Sequence, residues 1–231
     1  MIPIHKSQRD PLSGFKQMQD ATYEDNRLPK KALVEQLLRE QGYLCAYCMT
    51  RIDLETMSVE HWQPRHPSAL EFESKCEVKD LRKLSIDYKN MLAVCDGNQG
   101  HPKRFQHCDT LKGNRVLKYN PANQAHHPKL QIRYLKSTGK IESQDDEFNR
   151  QIGGVDGDPG ILNLNLNQIK DNRLEVIRRV NHMLDKLREN ASRKDIQKLL
   201  DNWQKPNSGG KLQPYAGVAI FFLELRRSHA S

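Results

Sequence analysis

The chain has 231 residues, 36% of them hydrophobic, with 37 Lys+Arg against 29 Asp+Glu and a formal charge of +8. That length allows one large domain or a small domain with a helical annex, and the basic balance favours polyanionic partners, nucleic acid before a membrane surface. No apolar run approaches the roughly 18 residues of a spanning helix, and the first residues lack the apolar centre of a signal peptide, so a cytoplasmic protein with no membrane partner is expected. Residues 1–28 carry Pro3, Pro11, Gly14 and many polar side chains, which predicts an extended arm with at most a short helix around 15–23. In 29–41, Leu33, Leu37 and Leu38 recur on one face, Pro29 suits the first turn and Gly42 the stop, so an amphipathic helix is expected. Residues 49–52 and 58–62 read as two short strands joined by a turn, with Pro64 ending regular structure. The polar stretch 65–86 carries a short helical signal at 68–75. An apolar run at 91–94, a glycine-rich basic loop at 96–107 and a short helix at 109–115 follow.

Beyond Asn120-Pro121 the character changes. Residues 131–136 and 140–143 flank Ser137-Thr138-Gly139 as a β-hairpin. Residues 153–160 form a turn-rich connector without the acidic spacing and closing Glu of a calcium loop. The remainder reads as three helices: one capped by Asn165 or Asn167 and running to about 190, one capped by Ser192, and one opened by Pro214. The last is apolar nearly all round over 218–225, which calls for burial in the chain's own core or in a partner. The expected class is α+β, divided into an N-terminal arm (1–28), a core (29–120) and a hairpin with helical region (121–231).

The chemistry-bearing residues lie in the core. Stable disulfides are not expected in a reducing compartment, so five cysteines read as four ligands and a spare, Cys76. Cys45, Cys48, Cys95 and Cys108 are four soft ligands, a set that holds structural zinc with no open position. The long gap from Cys95 to Cys108 leaves His101 and His107 as alternative ligands. Glu60 and His61 follow the first cysteine pair: a neutral imidazole can accept a proton near neutral pH, and a carboxylate can hold a divalent cation. Lys103, Arg104, Lys112 and Arg115 cluster around the second half of the motif, and phosphate binding is their expected role. Asn90 also suits an ordinary turn, and Asp109 also suits a helix N-cap.

Cys45-x-x-Cys48, Glu60-His61, Asn90 and Cys95 with Cys108-Asp109-x-x-Lys112 resemble the HNH, or ββα-metal, endonucleases over residues 40–116. The strings CAYC, VEH, DYKNMLAVCDGN and HCDTLKGN resemble more closely the PtuB-type HNH proteins of Septu and retron anti-phage systems. The resemblance implies a zinc-stapled ββα-metal core and a catalytic Mg²⁺ or Mn²⁺. His61 matches the general base, Glu60 the metal ligand beside it (more often Asp), and Asn90 the residue that orients the loop and the base. Asp109 matches the second metal ligand, where many relatives carry Asn or His. The products would be a 5′-phosphate and a 3′-hydroxyl. Implied partners are nucleic acid, DNA or RNA, and a PtuA-type ABC/AAA-like ATPase, with a retron reverse transcriptase and its non-coding RNA and DNA as a further possibility. Residues 161–229 are expected to dock on the ATPase, because the last helix is too apolar to stand exposed. The competing reading is a non-catalytic zinc module that binds nucleic acid or a protein; such a module has no need of Glu60-His61.

Overall fold

The computed structural model describes residues 1–66, 81–155, 157–187 and 192–230. The expected helix at 68–75 and Cys76 lie outside the described residues. The class is α+β: helices surround two separate two-stranded antiparallel sheets.

Helix α1 (Lys30–Glu40) buries Leu33, Leu37 and Leu38. At its end Gln41 turns inward. The Gln41 amide donates to the carbonyls of Leu44 (2.9 Å) and Ala93 (2.7 Å), and its oxygen accepts from Ala93 N (2.8 Å). One side chain thus satisfies both backbone groups of Ala93, as an edge strand would. Gly42 and Tyr43, both at positive φ, then reverse the chain.

Strand β1 (Met57–His61) pairs with β2 (Met91–Cys95), with Glu60 opposite Leu92 and His61 opposite Met91. The strand expected at 58–62 is therefore present one residue earlier, but its partner is the apolar run at 91–94 extended by Cys95. The strand expected at 49–52 is absent. There Met49 N bonds Cys45 O (3.0 Å), Cys45 N bonds Thr50 O (2.9 Å) and Met49 takes φ +67°. These bonds close a tight turn around the cysteine pair, leaving only an isolated bridge between Leu44 and Arg51.

Helix α2 (Leu81–Ser85) and a single 3-10 turn (Tyr88–Asn90) lead into β2. Helix α3 (Cys108–Lys112) follows after the loop 96–107. That loop is pinched at its base, since His107 N bonds Gly97 O (3.0 Å) and the Thr110 hydroxyl donates to Asp96 O (2.5 Å). The pinch brings Cys108 back beside Cys95 despite the long separation in sequence.

The second half contains α4 (His127–Leu130) and the expected hairpin, β3 (Ile132–Tyr134) with β4 (Ile141–Ser143). Gly139 sits in its turn at φ +67°. Helix α5 (Asp146–Gly153) was not foreseen; its N-cap Asp145 accepts from Phe148 N (2.9 Å). Helices α6 (Asn167–Lys186), α7 (Arg193–Gln204) and α8 (Ala216–Ser228) follow. Ser192 caps α7 as expected. Asn165 does not cap α6; it bonds instead to both backbone groups of Ile141 and to Gly153 O.

Helix α8 packs on α6, α7 and β3, and Val218, Ala219 and Leu223 are fully buried there. The chain's own core takes up one face of α8, while Ile220, Phe221 and Phe222 are partly buried and Leu225 is exposed. Tyr215 N bonds Met49 O (2.9 Å), which attaches the start of α8 to the cysteine turn. Residues 1–28 are not an extended arm: Ile4, Leu12, Phe15, Ala21 and Leu28 are buried, with one 3-10 turn at Phe15–Gln17. A single apolar cluster joins Leu12, Leu92 and Val218 from the three stretches distinguished in the sequence. Among the described residues no helix is long and apolar enough to cross a membrane.

Candidate metal centre and reactive site

The four cysteines meet at one point. Cys45 and Cys48 come from the turn after α1, Cys95 from the end of β2 and Cys108 from the start of α3. Their sulfurs all lie within 4.8 Å of one another, with 3.9 Å from Cys45 to Cys108 and 3.7 Å from Cys48 to Cys95. These separations exclude a disulfide bond of about 2.05 Å. They match the roughly 3.8 Å edge of a tetrahedron built on Zn–S bonds of about 2.3 Å. The donor set and its complete burial fit a metal such as zinc in a closed site. Cys108, not a histidine, completes the cluster. His101 is exposed, and His107 lies beside the cluster with Nδ1 3.2 Å from the Cys108 sulfur. Burial lowers the His107 pKa.

Glu60 and His61 occupy the end of β1 next to this cluster, and both are buried. Glu60 faces helix α3 and the cysteine turn. Its Oε1 is 2.6 Å from Lys112 Nζ and accepts from the Tyr47 hydroxyl (3.2 Å). Asp109 is near enough to the same carboxyl group to act on its ionisation. Burial pushes the Glu60 pKa well up, Lys112 opposes that, and Asp109 adds to it. The structure therefore brings Glu60 and Asp109 together, two oxygen donors of the kind that hold Mg²⁺ or Mn²⁺.

His61 turns to a different neighbourhood, as adjacent strand residues do. Its Nε2 is 2.9 Å from Ser85 O, and its ring meets the edge of Tyr23 at 4.7 Å. A carbonyl accepts only, so Nε2 carries the proton and Nδ1 is left as the basic nitrogen. Burial lowers the His61 pKa to about 4; the Ser85 carbonyl works against this, while Arg65 and Lys112 reinforce it. The imidazole is thus neutral at pH 7, the state a proton acceptor requires.

Asn90 is buried and serves as a clasp. Its Oδ1 accepts from Gln63 N (2.8 Å), and its Nδ2 donates to Gln63 O (2.9 Å) and Leu84 O (3.3 Å). It fixes the segment that leaves His61 and the helix that supplies Ser85. Asp109 is in the first turn of α3, but the N-cap position belongs to His107.

The basic residues separate into two groups. Lys103 and Arg104 are exposed on a 3-10 turn of the loop 96–107, where Arg104 lies 4.7 Å from the Phe105 ring. Lys112 is fully buried in the ion pair with Glu60, not on an open phosphate-binding surface. Arg115 is half-buried and donates to the carbonyls of Leu111, Lys112, Gly160 and Ile161, so its guanidinium braces α3 against the connector before α6.

Three contributors escaped the sequence reading. Tyr47 sits inside the Cys45–Cys48 turn, and a phenol between two ligands is a signal that was present. Gln41 and the carbonyl of Ser85 carry none, because neither residue type nor spacing marks a backbone acceptor. Compared with known proteins, the chain matches no family model and no curated protein.

Proposed function

We propose that this chain is a metal-dependent endonuclease of the HNH type that hydrolyses phosphodiester bonds, acting as the effector subunit of an anti-phage complex with a PtuA-type ATPase. The observation that supports this best is the setting of His61: a neutral imidazole whose Nε2 is tied to a backbone carbonyl, one residue from a carboxylate paired with Asp109. The pairing of β1 with β2, with α2 between them in the chain and α3 after β2, supports this reading.

His61 Nδ1 takes a proton from the attacking water. Ser85 O holds the ring in the required tautomer, and Asn90 holds the backbone on either side. Glu60 and Asp109 are the residues that would hold Mg²⁺ or Mn²⁺, which supplies Lewis-acid stabilisation of phosphate charge when bound. A substrate phosphate near the ring opposes the effect of Arg65 and raises the basicity of His61 when it is needed. Lys103 and Arg104, exposed on the loop 96–107, are the residues that would meet neighbouring phosphates. The ATPase contact is assigned to the helices of 161–229, where Leu225 of α8 is exposed and Ile220, Phe221 and Phe222 are only partly buried.

The test is nicking of supercoiled DNA and of a tRNA pool with Mg²⁺ or Mn²⁺, together with a zinc assay. Replacing His61 by Ala should lower cleavage by about 100-fold or more, the scale of general-base catalysis, and zinc content should not change. Cleavage unaffected by His61→Ala would sink this mechanism.

A second reading has an observation in its favour. Glu60 is already held by Lys112 in a buried ion pair, a bond that serves structure without any catalysis. A purely structural zinc module would keep its zinc, bind nucleic acid or a protein, and cut neither substrate.

A further inference from the structure

Lys112 holds a position at the centre of the site that phosphate binding does not explain. Its side chain has no solvent exposure. An ammonium has three hydrogens to donate, and three acceptors surround this one: Glu60 Oε1 at 2.6 Å, His61 O at 3.2 Å and Gly113 O at 3.4 Å. Asp109, three residues earlier on α3, is near enough to act on the same Glu60, whose pKa it helps to raise. Lys112 is thus the positive charge set against the buried Glu60, with the partly exposed Asp109 close by.

We propose that Lys112 is a built-in counter-cation of the Glu60–Asp109 pair that competes with a divalent ion for Glu60. The inference rests on the endonuclease reading, since it takes that pair as the divalent-ion site. Coulomb's law gives the reason. A monovalent ammonium and a divalent ion held by one carboxylate repel each other strongly in a poorly solvated site. A bond from Glu60 to Nζ therefore weakens its hold on the ion. The four-carbon stem of lysine lets the head withdraw, which the shorter, fixed Asp109 on the same short helix cannot do. Lys112 thereby keeps the two carboxylates assembled in the absence of the ion and sets a threshold of ion concentration for loading the site.

The test measures binding, not activity. Mn²⁺ is titrated into the full-length, zinc-loaded protein and followed by electron paramagnetic resonance, for wild type, Lys112→Gln, Lys112→Met and Glu60→Gln. Lys112→Gln keeps a hydrogen-bond donor without charge and guards against misfolding of Lys112→Met. Removal of the competing charge should tighten Mn²⁺ binding on the order of tenfold in both Lys112 variants. A Glu60-dependent Mn²⁺ site whose affinity is unchanged or weaker in Lys112→Gln overturns the competition and leaves the metal site standing. Absence of any Glu60-dependent Mn²⁺ binding, in wild type and in the Lys112 variants alike, overturns both this inference and the proposed metal-dependent chemistry.

Discussion

The Tyr47 hydroxyl donates a hydrogen bond to Glu60 Oε1 at 3.2 Å, so a residue enclosed by two cysteines of the metal cluster also holds the carboxylate of the reactive site. The staple and the chemistry share a side chain. Tyr47 is fully buried, and burial with the neighbouring acids pushes its pKa well up, so the phenol stays protonated and donating. Replacing it by Phe removes the donor and keeps the ring. The expected cost is about 1 kcal/mol in urea unfolding, with zinc content preserved. Loss of zinc in that variant would show that Tyr47 supports the cluster itself.

Cys108 tests the centre from its far side. Replacing Cys108 by Ser should lower zinc content and the thermal midpoint together, because a structural site that loses one of four thiolates loses folding free energy with the metal. Atomic absorption and a melting curve suffice. A variant with full zinc and an unchanged midpoint would mean that His107, next to it, has taken over as ligand.

Gly97 is the point where the pinched loop closes. It has φ +59°, and a Cβ there would lie 2.1 Å from His107 O. Ala at this position should lower stability by more than the roughly 1 kcal/mol expected from positive φ alone, and should weaken zinc retention against a chelator. Ala at Gly100, which has φ +85° but nothing near its missing Cβ, should affect stability far less and leave zinc in place.

Lys6 gives the pH dependence. Its side chain is buried above the Tyr88 ring (4.1 Å), with Glu40 at 3.7 Å, and burial outweighs the attraction of Glu40 to bring its pKa down to about 8. The folded-state value is thus below the unfolded value of about 10.4. Between those two values the unfolded chain carries the proton and the folded chain does not, so stability rises with pH there. The rise is at most about 3 kcal/mol. Urea midpoints at pH 7.5 and 10 should differ more for wild type than for Lys6→Met, and equal differences would rule the effect out.

Removal of residues 206–231 tests the role of α8. Val218, Ala219 and Leu223 are buried, and Tyr215 is bonded to the cysteine turn. The truncated chain should therefore fail to fold and should release zinc, as circular dichroism and metal analysis will report. A folded, zinc-loaded product would show that α8 is dispensable to the core.

The residue types of the site were readable where chemistry dictates them. Four cysteines and an adjacent Glu60-His61 announce themselves, and the structure brings the cysteines together as expected. What was hidden is the way their neighbours are used. The segment 49–52 resembles a strand through β-branched Thr50 and Ile52, but the tight turn around Cys45 and Cys48 consumes its hydrogen bonds. Lys112 looks in sequence like any basic residue on a helix; only the return of α3 against β1 reveals that it faces Glu60. The arm was misjudged because its apolar residues, Ile4, Leu12 and Phe15, are too widely spaced to make a periodic pattern, yet each finds a place in the core. Helix α5 was missed because the sequence reading passed over Asp145 as its cap.

The attachment of α8 to the cysteine turn has a consequence for synthesis. A methyl group at Gly217 would meet Ile2 at 2.4 Å and Met49 at 2.8 Å, so the chain's first residues, its first ligand pair and its last helix occupy one crowded spot. A ribosome delivers Ile2 and Met49 long before Gly217. The four thiolates can gather once Cys108 has emerged, but this spot closes only after α8 has followed. Assembly of the metal site therefore precedes its sealing.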